Sequence, residues 1–439
     1  MSFDLVIRAA SAFVDGRFQP AEIGITDGRI AAIGSTLDGP VVDLNDDEVL
    51  IPGIVDSHVH VNEPGRTEWE GFASATRAAA AAGVTTIIDM PLNSIPTTIS
   101  IEALALKRSV AADKVVIDTG FWGGAVPENL GSLKELHDRG VFGFKAFLAP
   151  SGIDEFGFLD SAQLDAALGE IASLGSLLIV HAEDPGVLDA HTNHGGTSYA
   201  AFVESRPDEA ETTAIDRVIA GVRRTGARAH ILHLSSAAAL PALRAAREEG
   251  LPVTVETCPH YLVLAQEAIP DGATQFKCCP PIRSEANREA LWQALLDGDI
   301  DVIVTDHSPA TADLKFAGDG DFQVAWGGIA GLQTGFATVW TEAASRGIPL
   351  DRVLQWMSQG TADLVGLPQK GRIAVGADAD LVAFAPDERF TVHASELRHK
   401  NPVSAFEGRS LRGVARRAWL RGHPIDDATR GALLETSRS

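Results

Sequence analysis

Eight short apolar runs alternate with helical patterns through the middle of the chain. Each run is nearly continuous in apolar residues, as strands buried on both faces are. In chain order the runs are "IPGIVDSHV", "VTTIIDM", "VVIDTGFW", "GFKAFLA", "LLIVHAE", "RAHILHLS", "VTVETCP" and "DVIVTDHS". Eight strand–helix units over about 310 residues predict an α/β fold, a (β/α)8 TIM barrel.

Amphipathic segments separate most of these runs. In "DSAQLDAALGEIASLG" (160–175), Asp160 is a candidate N-cap, one face is apolar, and Gly175 ends the pattern. Residues 236–250 behave similarly, although Pro241 falls inside them. A doubly wound open sheet is the alternative. It usually has fewer strands and often a glycine-rich phosphate turn, and the sequence contains no G-x-G-x-x-G.

Both ends of the chain are rich in strand and turn signals. Two D-G pairs punctuate apolar runs within residues 1–50, which is a hairpin signal. The C-terminal part reads the same way, in "GRIAVGADADLVAFAPDERFTV" and "GVARRAWLRGHPI". We therefore expect a small β-sandwich domain built from residues 1–50 and 373–439, with the barrel domain, residues 51–372, inserted between them.

Composition narrows the partners and the compartment. The chain is 45% apolar and 22% charged, as an ordinary soluble globular protein is. Its net charge of −23 argues against nucleic acid and anionic membranes as partners. Three cysteines, two of them adjacent, give no disulfide framework. With no signal-peptide pattern and no apolar run near membrane-spanning length, we expect a cytoplasmic protein.

Unusual polar residues gather at the carboxyl ends of the predicted strands. They are His58 and His60 after the first run, Lys145 in the fourth, His181 after the fifth, His233 after the sixth, and Asp306 with His307 after the eighth. In a TIM barrel this face carries the active site. His58 and His60, two residues apart, would share one face of their strand.

Each residue alone has an ordinary structural explanation. A single histidine in a strand is often a hydrogen-bonded core residue, a lysine can extend its amine to water or form an ion pair, and an aspartate can cap a helix. Six such explanations, one for each of these residues except His307, would be needed in one place. A divalent metal centre explains all six positions together, because imidazole and carboxylate suit zinc and similar ions.

A lysine needs chemical modification before it binds a cation. Burial lowers the pKa of an amine, and the neutral amine can add carbon dioxide to form a carbamate. The two carbamate oxygens could bridge two metal ions. This hypothesis predicts about 44 Da of extra mass on Lys145.

The whole pattern resembles the amidohydrolase superfamily, in particular its cyclic-amide branch of dihydroorotases, hydantoinases and allantoinases. The resemblance covers essentially the whole chain, including "GRIAVGADADLV" and "YAAFVESRPDEAETTAI". It implies two divalent ions, with zinc as the default and cobalt, manganese, iron or nickel as alternatives, and a homotetramer. It also implies the ligand sets: His58, His60 and Asp306 for one ion, His181 and His233 for the other, and a carbamylated Lys145 as the bridge.

Two departures bear on the substrate. Asn62 stands where dihydroorotases carry an arginine, and Pro150 stands where hydantoinases carry a tyrosine. The segments "HVHVNEPGRTEWEGF", "DMPLNSIPTT", "FKAFLAPSGIDEF", "KCCPPIRSEANREALW" and "TDHSPATADLK…AWGGIAGLQ" resemble the allantoinases. This implies a cyclic ureide substrate, hydrolysis of allantoin to allantoate, and Asp306 as the catalytic base and then acid.

Substrate contacts are expected from the loops. Arg66, Asn93 and Ser308 are the candidates, together with backbone groups between Cys279 and Ile282. A hydantoinase, dihydropyrimidinase or dihydroorotase-like activity is the alternative within the branch. A non-catalytic relative that keeps the barrel as a scaffold is the alternative from another class.

Overall fold

The computed structural model describes residues 2–193 and 195–436 of the chain. Residue 1 and residues 437–439, which belong to the predicted terminal domain, lie outside the described residues. The N-terminal strands are β1 (Leu5–Val14), β2 (Arg17–Thr26), β3 (Arg29–Gly34), β4 (Val41–Asp43) and β5 (Val49–Pro52). The two D-G pairs turn β1 into β2 and β2 into β3, with all four residues at positive φ, so both predicted hairpins are present.

A closed ring of parallel strands forms the centre of the molecule. Its strands are β6 (Ile54–Val59), β7 (Val84–Asp89), β8 (Asp118–Phe121), β9 (Gly123–Gly124), β10 (Phe144–Phe147), β11 (Leu177–His181), β12 (Arg228–Ile231), β13 (Val253–Thr257) and β14 (Val302–Ile303). β9 continues β8 past Trp122, so there are eight barrel positions. Val59 pairs with His307 and closes the ring, which confirms the TIM barrel over an open sheet.

Helices cover the outside of the barrel and its loops. They are α1 (Phe72–Ala81), α2 (Ile101–Ala111), α3 (Leu133–His137), α4 (Ser161–Leu174), α5 (Pro185–Ala190), α6 (Tyr199–Glu204), α7 (Asp208–Thr225), α8 (Leu240–Glu248), α9 (Pro259–Val263), α10 (Glu285–Asp297), α11 (Ala312–Lys315), α12 (Gly335–Ser345), α13 (Leu350–Leu354) and α14 (Gly360–Leu364). None of the described helices is long and apolar enough to cross a membrane.

The two helices predicted in detail are present, with one shift. Asp160 caps α4 by accepting from the backbone of Gln163, and Gly175 ends the helix in the left-handed region. α8 begins at Leu240 rather than at residue 236. Pro241 therefore lies in the first turn, where its missing N–H breaks no helical hydrogen bond.

The C-terminal strands join the N-terminal ones in a single sheet. β15 (Leu381–Thr391), β16 (Ser410–Leu420) and β17 (His423–Pro424) extend it to eight strands, in the order β17-β16-β15-β5-β1-β2-β3 with β4 paired to β1. This sheet has its own apolar core, which includes Ile7, Ile23 and Leu381. The β-rich domain built from both termini is thus confirmed.

A buried charge cluster joins this sheet to the barrel. The Lys370 amine contacts Asp118, at the start of β8, at 2.5 Å, and Asp378 and Asp380 at 2.9 and 2.6 Å. The amine supplies one positive charge to these three carboxylates, and the guanidinium groups of Arg421, on Asp118, and Arg29, on Asp378, supply two more. The cluster is therefore an ion-pair junction, although three neighbouring carboxylates could otherwise suggest a metal site.

Candidate metal centre

The structure brings all six predicted ligands together at the carboxyl ends of the barrel strands. Five of them line one cavity of about 380 Å³, and the sixth, His58, is fully buried beside it. The five are His60, Lys145, His181, His233 and Asp306. The parallel strands place residues that are up to 248 positions apart within one site.

The first group of ligands surrounds one carboxylate oxygen. His58 Nε2 lies 3.0 Å from Asp306 Oδ1, and His60 Nε2 lies 3.5 Å from the same atom. All three residues are buried, and their donor atoms lie within 4.8 Å of one another. This is the spacing at which three side chains could hold one ion.

The second group consists of two imidazoles that face each other. His181 Nδ1 lies 3.0 Å from His233 Nε2. The Lys145 amine lies 3.5 Å from His58 Nε2, which belongs to the first group. In the described part of the chain this buried amine forms no ion pair, although Asp306 and Glu256 are near enough to oppose the effect of burial. Burial prevails and lowers the pKa of Lys145 to about 8.

Glu256, on β13, is a carboxylate partner that the sequence analysis missed. Its Oε1 accepts from His58 Nδ1 at 2.5 Å and from the His233 backbone N–H at 3.0 Å, and its Oε2 contacts His230 Nε2 at 3.0 Å. Burial raises the pKa of Glu256, but the charges and hydrogen bonds of His58 and His230 hold it well below its usual range. Glu256 is therefore ionised and fixes the ring of His58.

A second missed carboxylate fixes His181. Glu183 Oε2 lies 2.8 Å from His181 Nε2, and Arg206 donates to both oxygens of Glu183, at 3.0 and 2.5 Å. Burial raises the pKa of Glu183, but Arg206 and His181 lower it well below its usual range. Both carboxylates occur in apolar runs, in "LLIVHAE" and "VTVETCP". A charged residue in a buried strand, as Glu256 is, or just after one, as Glu183 is, was the signal that could have revealed them.

These partners decide which ring nitrogens are free to bind an ion. A proton on His58 Nδ1 and one on His181 Nε2 satisfy Glu256 and Glu183, so His58 Nε2 and His181 Nδ1 are the ring nitrogens left to face the site. His58 Nε2 faces a carboxylate oxygen of Asp306, and His181 Nδ1 faces Nε2 of His233. A proton joins each pair in the metal-free site, and a divalent cation could take its place. The donor set and its tautomers therefore fit two metal ions.

Burial holds three of the four imidazoles of the site neutral, and His58 is the exception. Burial lowers the pKa of His60 to about 3, and it lowers the pKa values of His181 and His233 as well. For His58, burial lowers the pKa, but Asp306 and Glu256 raise it to about 9 overall. A neutral imidazole is the form that binds a metal, so an ion bound at His58 would displace a proton.

Four residues at the site adopt the left-handed backbone region. The φ angles are 65° for Asn62 and Asn93, 36° for His233 and 45° for Asp306. Such angles cost energy in residues other than glycine and often mark functional sites. They follow the ends of strands, where the chain must turn to direct side chains into the barrel mouth.

The three predicted substrate contacts are placed differently. Asn93 and Ser308 line the cavity, whereas Arg66 is not among the residues that line it. The Arg66 guanidinium donates to the Asn93 carbonyl at 2.9 Å and pairs with Glu155. The ring of His307 contacts Glu70 and the backbone of residue 332. Cavity residues that sequence reasoning missed include Ser151, Arg206, Lys277 and residues 323–328.

Comparison with known proteins gives consistent matches. Residues 49–423 match the model of the Amidohydrolase family. The chain is 55% identical to an allantoinase from Streptomyces avermitilis over 431 residues, covering 96% of this chain and 95% of the relative. It is 45% identical to an allantoinase from Saccharomyces cerevisiae, covering 86% and 82%.

Solved structures of hydantoinases share the fold. An L-hydantoinase (dihydropyrimidinase) from Arthrobacter aurescens superposes with a TM-score of 0.91 at 30% identity, covering 99% of this chain and 98% of the other. A D-hydantoinase superposes with a TM-score of 0.89 at 27% identity, covering 99% of both chains.

Proposed function

The chain belongs to the amidohydrolase family, and from that premise we propose that it hydrolyses allantoin to allantoate. The observation that carries this proposal is the convergence of six potential ligands at the mouth of a barrel whose sequence is 38–55% identical to curated allantoinases over most of its length. The enzyme is a hydrolase acting on a C–N bond of a cyclic amide.

We assign the ligands in two sets and a bridge. His58, His60 and Asp306 would hold one divalent ion, and His181 and His233 the other. Lys145 would bridge them as a carbamate, which its burial and lowered pKa favour. Zinc suits this donor set, and cobalt, manganese, iron or nickel are alternatives. Two such ions, when bound, polarise a carbonyl and lower the pKa of water.

The side chains of the site then move the proton and hold the ring. Asp306 accepts the proton of the attacking water and passes it to the ring nitrogen as the C–N bond breaks, so that the ring opens to a carboxylate. Asn93 and Ser308 line the cavity and could bind the N–H and C=O groups of a neutral ureide. Arg66, through its hydrogen bond to the Asn93 carbonyl, would act on the substrate by holding that residue in place.

The deciding experiment is an allantoin assay with the metal content measured on the same sample. We expect turnover of allantoin with about two ions per chain, and loss of turnover on chelation. Hydantoin, dihydrouracil and dihydroorotate are the comparison substrates, because hydantoinases share this fold. A metal-loaded protein that opens one of those rings and not allantoin would refute the proposal. A chain that binds no metal would be a scaffold.

Three further properties are part of the proposal. We propose a homotetramer in the cytoplasm, and a domain division at residues 1–50 and 373–439 against 51–372. Two apolar clusters support the division, one in the sheet and one in the barrel, although Phe13, Val382 and Phe384 of the terminal segments pack in the barrel cluster. Light scattering would test the tetramer.

A further inference from the structure

Six consecutive residues, 323–328, form one wall of the cavity without helix or strand. We call this segment the 323–328 wall. It includes Trp326, whose ring packs edge-on against Trp69 at 4.9 Å. Two glycines end it, so little side-chain packing holds its last turn. Some other interaction must therefore fix the position of this wall.

Lys315 supplies such an interaction from behind the wall. Its side chain is buried, and its amine donates to the carbonyls of Lys277 at 2.8 Å, Trp326 at 3.1 Å and Gly328 at 2.5 Å. An ammonium has three N–H donors, and all three are used. Over residues 2–193 and 195–436, Lys315 forms no ion pair, so backbone carbonyls alone stabilise this buried amine.

Lys277 holds the same wall from a second side. Its amine donates to the carbonyls of Ala325 at 2.5 Å and Gln323 at 3.4 Å. Its own carbonyl accepts from Lys315 and from the Gly328 backbone N–H. Two lysines thus hold the carbonyls of residues 323, 325, 326 and 328.

In this position the 323–328 wall contacts Ser308, another residue that lines the cavity. Gly328 has φ +117°, and a Cβ there would lie 2.4 Å from the Ser308 carbonyl oxygen. The wall therefore packs against the backbone that follows Asp306. A small displacement of the wall would therefore change the shape of the cavity beside Ser308.

We propose that Lys315 is a positioning residue for substrate specificity, which fixes the 323–328 wall where the ureido substituent of the substrate lies. This rests on the proposed function. Allantoin is a hydantoin ring that carries a ureido group. The ring amide must reach the ligands, so the substituent faces the rest of the cavity, to which this wall contributes six lining residues. Backbone groups held in place suit the N–H and C=O groups of a ureide.

The test compares Lys315→Met with wild type. We measure KM and kcat for allantoin, the inhibition constant of unsubstituted hydantoin, metal content, and amide hydrogen exchange of residues 316–330. We expect the KM for allantoin to rise about tenfold or more with kcat within about threefold, because binding of the substituent is lost and the chemistry is not. Hydantoin inhibition and metal content should stay unchanged, and exchange within 323–328 should accelerate.

Controls separate this role from general damage. Lys134→Met removes a lysine from the exposed surface of α3 and should change none of these quantities. If Lys315→Met fails to fold, Lys315→Gln, which keeps two N–H donors, gives the same comparison. Equal weakening of allantoin and hydantoin, or an unchanged KM and exchange rate, would overturn the inference. Wild-type protein that binds metal without opening allantoin would refute the proposed function instead.

Discussion

Replacing Glu256 with glutamine tests whether this buried carboxylate sets the affinity of the metal centre. Three donors converge on it: His58 Nδ1 and the His233 backbone N–H on Oε1, and His230 Nε2 on Oε2. The glutamine carbonyl can keep the first two. Its NH₂ can donate to His230 if that ring moves its proton to Nδ1, which lies 2.8 Å from the Thr254 hydroxyl. The substitution therefore removes charge while keeping the hydrogen bonds.

The expected magnitude follows from the two hydrogen bonds on Oε1, which hold the proposed ligands His58 and His233. The two hydrogen bonds on Oε1 change from charge-assisted to neutral, at about 1 kcal/mol each. A total of about 2 kcal/mol corresponds to about 30-fold weaker metal binding, because 1.4 kcal/mol is tenfold. This lies within the about 10–100-fold loss usual for the carboxylate partner of a metal-binding histidine. Glu256→Ala would leave three buried donors without an acceptor, so glutamine is the informative change.

The assay is a zinc titration of metal-free protein against a competing chelator, with thermal unfolding of the metal-free form measured in parallel. Glu211→Gln is the matched control. Glu211, on α7, is equally buried, and accepts from the backbone of Ser235 and Ser236 and from Arg283. We expect that variant to lose stability without losing zinc affinity. Zinc affinity of Glu256→Gln within about twofold of wild type would refute the reasoning, as would an equal loss in Glu211→Gln.

Three further changes give separate tests. Asp306→Asn in zinc-saturated protein should lower kcat for allantoin about 10²–10⁴-fold, and a smaller loss would remove the proton-transfer role. Lys145→Met should lack the adduct of about 44 Da in native mass spectrometry and bind fewer than two ions, and an adduct that persists would lie on another residue. Burial and the charge of His307 lower the pKa of His399 to about 4, although Glu70 opposes this. The unfolded imidazole takes up a proton near pH 6.5 and the folded one only near pH 4, so stability falls as pH drops through this window. The measurement is urea unfolding of His399→Leu and wild type at pH 6.5 and pH 4. Between these pH values the free energy of unfolding of the variant should fall by about 3 kcal/mol less than that of wild type, and equal falls would contradict this.

Much of the fold was predictable because its signals are local. Buried parallel strands give short apolar runs, and each of the eight contains or overlaps a barrel strand. The D-G turns, the Asp160 cap and Gly175 act within four residues of the backbone they shape. The start of α8 was predicted four residues too early, because periodicity alone could not place Pro241 in the first turn.

The sequence by itself also predicted which side chains would form the metal centre. A histidine or lysine at the end of a buried strand stands out against apolar neighbours, and the barrel rule places all such ends on one face. The six ligands were predicted in this way, and the structure places them together.

Only the tertiary structure decided how those side chains are held. His58 and Glu256 are 198 residues apart and meet at 2.5 Å, and the partners of Lys315 are backbone carbonyls, which every residue has. No local pattern marks such contacts, because they depend on which strands and loops become neighbours when the barrel closes. Burial then determines which groups are charged. Removal from water lowers the pKa of Lys145, and the same removal means that the buried rings of His58 and His181 need the carboxylates of Glu256 and Glu183 as hydrogen-bond partners.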